Sequence, residues 1–139
     1  MTKGHTYNID ELADLAQLSG QFLKELSVGD VVFLSGDLGA GKTTFCQMLL
    51  QAAGVTEPVK SPTYALYNHY QINKKSFIHM DLYRLSDPEE LYFLDIEWIL
   101  NGEHIVLIEW PTKGHGVLPT PDWHLKFDWT NQKRTLTIT

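Results

Sequence analysis

Apolar residues along the chain recur with three distinct periods. Ile9, Leu12, Leu15, Ala16, Phe22, Leu23 and Leu26 keep near-helical spacing, which predicts a first helix over Asn8–Leu26 with Asn8 and Glu11 as its capping box. Val28-Gly29-Asp30 turns the chain into a continuous apolar run, Asp30–Ser35, of the kind that fills a buried strand. A helical pattern follows over Thr44–Ala53, closed by Gly54. Ala65–Ile72 reads as a strand and Ser76–Leu85 as a second strand running into a loop, joined by the Asn73-Lys74-Lys75 turn and hence paired antiparallel.

The second half continues in the same way. Asp87-Pro88-Glu89-Glu90 carries an Asp N-cap, Pro at the first helical position and Glu at the third, which predicts a helix through Leu91 and Phe93. That helix breaks near Asp95, resumes toward Leu100 and ends at Asn101-Gly102. His104–Trp110 is the most strand-like run, four apolar residues leading into Glu109. Pro111–Asp122 reads as an irregular loop. Trp123, Leu125, Phe127 and Trp129 alternate with polar residues, predicting a strand that forms a hairpin with Thr135–Thr139 across Thr130–Arg134, its tryptophans in the core.

Between the second strand pattern and its helix lies Gly36-Asp37-Leu38-Gly39-Ala40-Gly41-Lys42-Thr43, with Thr44 next, which fits G-x-x-x-x-G-K-[ST] at every fixed position. The glycines let successive backbone N–H groups converge on phosphate oxygens, and the new helix adds its positive end. Lys42 supplies a point charge for the outer phosphates and Thr43 a hydroxyl for Mg²⁺. A Gly-rich turn that happens to carry a lysine would not need both the apolar lead-in and the helix behind it. Nucleoside triphosphate binding is the expectation.

A phosphate loop needs a carboxylate at the tip of a neighbouring strand to hold the metal or its water. Glu109 and Asp81 both end apolar leads; Glu109 ranks first as metal ligand and Asp81 as the catalytic or water-orienting acid. Either could also be a solvated strand end. His79 shares a strand face with Asp81 by alternation and reads as a structural or hydrogen-bonding residue, because no cysteine or helical His pair accompanies it as zinc would require. Pro62 holds Lys60-Ser61-Pro62-Thr63-Tyr64 extended, either as a plain turn or as a switch near the γ-phosphate.

Bulk properties narrow the class further. With 139 residues the chain makes one domain, 1–139. Eleven basic against seventeen acidic residues give a net charge of −6, a poor platform for gripping a phosphate backbone directly. Cys46 is the single cysteine and falls in the apolar pattern of the second helix, so it is expected in the core. No signal-peptide pattern or spanning-length apolar stretch occurs, so no membrane association and a cytosolic location are expected. No Asn-Lys-x-Asp pattern occurs, which favours ATP over GTP. The two arginines, Arg84 and Arg134, are too few for the arginine-rich lid of a small-molecule kinase. A phosphotransferase and a non-hydrolysing nucleotide switch nevertheless stay open beside an ATPase.

Four blocks taken together resemble the bacterial TsaE (YjeE) family: the loop at 36–44, Lys60-Ser61-Pro62-Thr63-Tyr64, His79–Leu85 with Asp87–Leu91, and Ile108-Glu109-Trp110-Pro111. The resemblance runs over nearly the whole chain. It implies an α/β, three-layer P-loop NTPase fold whose mixed sheet has a parallel core and antiparallel additions. It also implies a small ATPase that supports formation of tRNA threonylcarbamoyladenosine by TsaD and TsaB, meeting tRNA only through those partners. The same likeness implies ATP and Mg²⁺ as cofactors, with Thr43 and Glu109 on the metal, Asp81 catalytic, and Ser61–Tyr64 as a switch. Trp110 would lie beside the nucleotide, with Asp10 and Arg134 at the adenine. Thr112 departs from the family pattern, in which an acidic residue or Gln is common, and Thr139 falls short of a C-terminal extension that many relatives carry.

Overall fold

The computed structural model describes residues 2–37, 39–62 and 65–139. Among the described residues seven strands form one sheet: β1 (Thr6–Asn8), β2 (Val31–Ser35), β3 (Tyr67–Ile72), β4 (Lys75–Asp81), β5 (Ile105–Glu109), β6 (Trp123–Thr130) and β7 (Lys133–Ile138), in the spatial order β1-β7-β6-β2-β5-β4-β3. The four central strands β6, β2, β5 and β4 run parallel. Antiparallel β7 and β1 extend one edge and antiparallel β3 the other. The expected mixed sheet is therefore present.

Alternation along the central strands divides the core in two. Val32 and Leu34 of β2, Phe77 of β4, and Ile105 and Leu107 of β5 pack under helices α1 (Leu12–Glu25) and α2 (Lys42–Ala52). Val31, Ile78, Met80, Val106 and Ile108 face the other way, against Leu91 of a short 3-10 helix (Pro88–Phe93) and Ile96 and Ile99 of α3 (Ile96–Ile99). Side chains of a strand point alternately to opposite faces, so odd positions of β4 and β5 belong to the α1/α2 side. That parity decides where the polar residues at the strand ends go.

Several elements differ from the sequence expectation. Asn8 closes β1 rather than capping α1; Glu11 is the N-cap, and it forms the capping box with Asp14. A three-residue edge strand is too short to show alternation, and Asn8 and Glu11 offered the same i, i+3 spacing three residues early. The segment after Asp87 keeps its cap, Glu90 reaching back to Asp87 N at 2.9 Å, but winds as a 3-10 helix and breaks at Asp95, which is left-handed at φ +47°. The Pro111–Asp122 loop contains a 3-10 turn at Pro111–Gly114.

The β6–β7 hairpin closes through Asn131-Gln132 alone, both at positive φ, the geometry that matches strand twist in a two-residue turn. Trp123 packs edge-on against Phe22, as a core residue should. Trp129 does not: it is 54% exposed, next to the turn, and Arg134 Cζ lies 4.4 Å over its ring. Cys46 is fully buried.

Candidate functional site

Beyond β2 the chain curls back before entering α2. Gly36 sits so close to β6 that a Cβ there would lie 2.5 Å from the Phe127 carbonyl oxygen, at φ +146°. Gly41 caps α2 at φ +108°, a left-handed conformation that a side chain would strain. Its carbonyl accepts the first helical bond, from Phe45 N at 2.9 Å, and the Ala40 amide closes the turn onto Asp37 O at 3.1 Å. The free amides of the first helical turn and their dipole are left pointing into a cleft.

Lys42, in that first turn, is buried, donates to the Gly36 carbonyl, and places its Nζ 3.6 Å from the centre of the Trp110 ring. Burial lowers the Lys42 pKa, opposed by the carboxylates of Glu109, Asp81 and Asp37. Trp110 itself is held left-handed at φ +57°, with Pro111 behind it and Tyr83 5.0 Å away ring to ring.

The acids arrive from the sheet. Asp81 and Glu109 are register partners at the ends of parallel β4 and β5, on the α2 face by parity. Glu109 Oε1 accepts from Thr43 Oγ1 at 2.8 Å, and its Oε2 lies 2.6 Å from His79 Nε2. Asp81 Oδ1 accepts the Tyr83 amide at 3.0 Å. Thr43, Glu109 and His79 thus form a chain of contacts from the helix start into the sheet, with Glu109 and His79 almost wholly buried.

A cavity of about 340 Å³ opens over this group. Of the residues singled out from sequence, Gly39, Gly41, Lys42, Thr43 and Thr44 line it from the loop and α2. Asp81, Glu109 and Trp110 line it from the strand ends, and Arg134 from β7. Asp37 and Ala40 are not among the lining residues, Ala40 being turned into the core. Asp10 does not line it either; its carboxylate accepts the Arg134 amide at 2.8 Å, and that bond lowers its pKa. Leu38, and Thr63 and Tyr64 of the expected switch, lie outside the described residues.

Sequence reasoning missed four lining residues: Leu12 and Leu15 of α1, and Tyr83 and Arg84 just past β4. The leucines read as ordinary core positions of a helix, and only the crossing of α1 over the loop turns them toward the cleft. Tyr83 and Arg84 follow Asp81 so closely that the pattern did carry a signal. Cys46 also turns up beside His79 and Glu109, their ligand atoms within 4.8 Å, contrary to the expectation that no cysteine accompanies His79. Helix α2 and strand β4 bring together residues 33 positions apart, which spacing does not reveal. Burial, then the Glu109 and Asp81 charges, push the Cys46 thiol well above its usual pKa, so it is a neutral packing group rather than a thiolate ligand.

The family model described as "Threonylcarbamoyl adenosine biosynthesis protein TsaE" matches residues 9–136. The tRNA threonylcarbamoyladenosine biosynthesis protein TsaE of Haemophilus influenzae is 47% identical over 78% of this chain and 68% of that protein. The protein of the same name from Rickettsia conorii is 44% identical over 76% of this chain, which spans 59% of its length. The Bacillus subtilis one is 38% identical over 78% of this chain and 65% of its own. A crystal structure of Bacillus subtilis YdiB shares the fold, with a TM-score of 0.82 at 24% identity, over 99% of this chain and 86% of that one. Among the described residues no helix is long and apolar enough to cross a membrane.

Proposed function

The chain belongs to the TsaE family, and from that premise we propose that it is a P-loop ATPase that hydrolyses Mg-ATP in support of tRNA threonylcarbamoyladenosine formation. It acts by docking on TsaD and TsaB and meets tRNA only through them. The observation that carries the reading is the convergence of Lys42, Thr43, Asp81 and Glu109 on one cavity beneath the start of α2.

Each group has a task set by its chemistry. The amides of Gly39–Thr44 and the helix end bind phosphate oxygens, and the Lys42 ammonium neutralises the outer ones. The Thr43 hydroxyl and Glu109 carboxylate, already 2.8 Å apart, form a pair of hard oxygen donors that fits Mg²⁺ and would hold it. When bound, that ion neutralises charge building on the β- and γ-phosphates. Asp81, one strand over in matched register, orients the attacking water and takes its proton. Trp110 screens Lys42 from solvent, while Leu12, Leu15 and Arg134 form a wall for the adenine.

Phosphate release with and without TsaD–TsaB tests this directly. Wild-type protein should release phosphate from Mg-ATP, faster with the pair, and Lys42→Ala should do so on the order of 100-fold more slowly. Undiminished release by Lys42→Ala would sink the reading. Appearance of a phosphorylated small molecule in place of free phosphate would replace it with a phosphotransferase.

A further inference from the structure

We propose that His79 is a positioning residue for Glu109, fixing the carboxylate from behind so that its other oxygen faces Thr43 and the metal; this rests on the ATPase reading above. The geometry is specific. His79 is fully buried on β4, and its Nε2 lies 2.6 Å from Glu109 Oε2 on the adjacent strand. The two are diagonal neighbours on one sheet face, since His79 registers with Leu107, two residues before Glu109.

Donation runs from the ring. An ionised carboxylate only accepts, so the hydrogen belongs on Nε2. The other ring nitrogen, Nδ1, is buried with no hydrogen-bond partner among the described residues. A bare lone pair there costs less than a bare N–H, which selects the same tautomer. Cys46 places its sulfur within 4.8 Å of the ligand atoms of His79 and Glu109, and a thiol is only a weak donor beside an imidazole N–H.

The consequence for Glu109 is geometric. Thr43 holds Oε1 and His79 holds Oε2, so both the rotation of the carboxylate and its place at the strand end are fixed before any nucleotide arrives. Groups that hold a metal ligand in this way are worth roughly 10–100-fold in metal affinity. His79 touches neither phosphate nor cavity; its whole effect passes through Glu109.

Two variants and one spectrum test this. His79→Leu removes the donor, whereas His79→Gln keeps an N–H near the place of Nε2. Mg²⁺ titrations of phosphate release should give a half-maximal concentration about 10-fold higher for His79→Leu, with most of the loss recovered in His79→Gln. ATP binding without Mg²⁺ should stay at the wild-type value in both. An unchanged Mg²⁺ midpoint in folded His79→Leu, or a folded His79→Gln no better than His79→Leu, overturns the proposal.

Long-range ¹H–¹⁵N spectra of the wild-type imidazole, taken without nucleotide, should show the hydrogen on Nε2, its signal moving in Glu109→Gln. A hydrogen on Nδ1 overturns the proposal even if the leucine variant fails to fold. Wild-type protein that consumes no ATP while showing the Nε2 tautomer would instead remove the ATPase reading and leave the His79–Glu109 contact standing.

Discussion

Thr43 Oγ1 and Glu109 Oε1 meet at 2.8 Å although 66 residues separate them along the chain. One belongs to the first turn of α2, the other to the end of β5, and β2 lies between the loop and that strand as parallel partner of β5. The contact therefore exists only when the central sheet has its native pairing. It also sets a hydroxyl and a carboxylate oxygen side by side; under the ATPase reading both would turn their lone pairs to Mg²⁺, the hydroxyl keeping its hydrogen.

Glu109→Ala should depress Mg²⁺-dependent turnover more than nucleotide binding. The expected loss exceeds the roughly 10–100-fold that follows removal of a group merely supporting a metal ligand. The same change leaves the buried His79 N–H unpaired, costing about 1–3 kcal/mol of stability. Thermal melts and isothermal nucleotide titrations of one preparation separate the two effects; equal loss of binding and turnover would make Glu109 a structural residue only.

Lys42→Ala should raise the barrier to phosphate release by on the order of 3 kcal/mol, as loss of a charge-stabilising donor does. Because Lys42 Nζ lies against the Trp110 face, tryptophan emission of the apo protein should change in the same variant. An emission spectrum identical to wild type would contradict the packing of that pair.

Gly36→Ala should destabilise the fold by roughly 2 kcal/mol or more, because the new Cβ meets backbone rather than a movable side chain. A denaturant midpoint equal to wild type would show that the loop and β6 can separate at no cost.

Trp129→Ala should raise the KM for ATP a few-fold with kcat unchanged. Its exposed ring carries Arg134, a cavity-lining side chain, and such a contact is worth about 0.5–1 kcal/mol at an exposed site. A loss confined to kcat would place Arg134 in the chemistry instead.

Stability should fall as pH drops below the ordinary histidine value of 6.5. Burial lowers the pKa of both His104 and His124, so near and below that value the unfolded chain binds more protons than the folded one. Their contribution is whole above the unfolded pKa and is lost as pH falls toward the folded one. Denaturant midpoints at pH 7.5 and 5.5 test this, and His104→Gln should flatten the difference.

Much of this was legible in the residues. The loop at 36–43 could be read because glycine spacing, Lys42 and Thr43 are local, and Glu109 because a carboxylate ending a run of four apolar residues is conspicuous. Capping at Asp87 and the break at Asp95 were equally local. What escaped depends on contacts between distant segments. Strand β1 exists by leaning on β7, the turn of Leu12 and Leu15 toward the cavity follows from how α1 crosses the loop, and Cys46 reaches His79 only through the packing of α2 on β4. Asp10, singled out through the family resemblance, accepts the Arg134 amide, a contact between residues 124 apart that no local pattern announces.

His79, Asp81 and Glu109 occupy odd positions of two neighbouring strands, on the side that also takes Phe77, Ile105 and Leu107 into the core. Sliding β4 by one residue would push Phe77 out of its oily layer in the same stroke that carried both polar side chains to the opposite surface. Chain assembly and chemical competence are thereby locked to a single alignment. A well-folded yet idle slipped isomer has no low-energy basin to occupy, so proofreading of the strands comes free with their hydrophobicity.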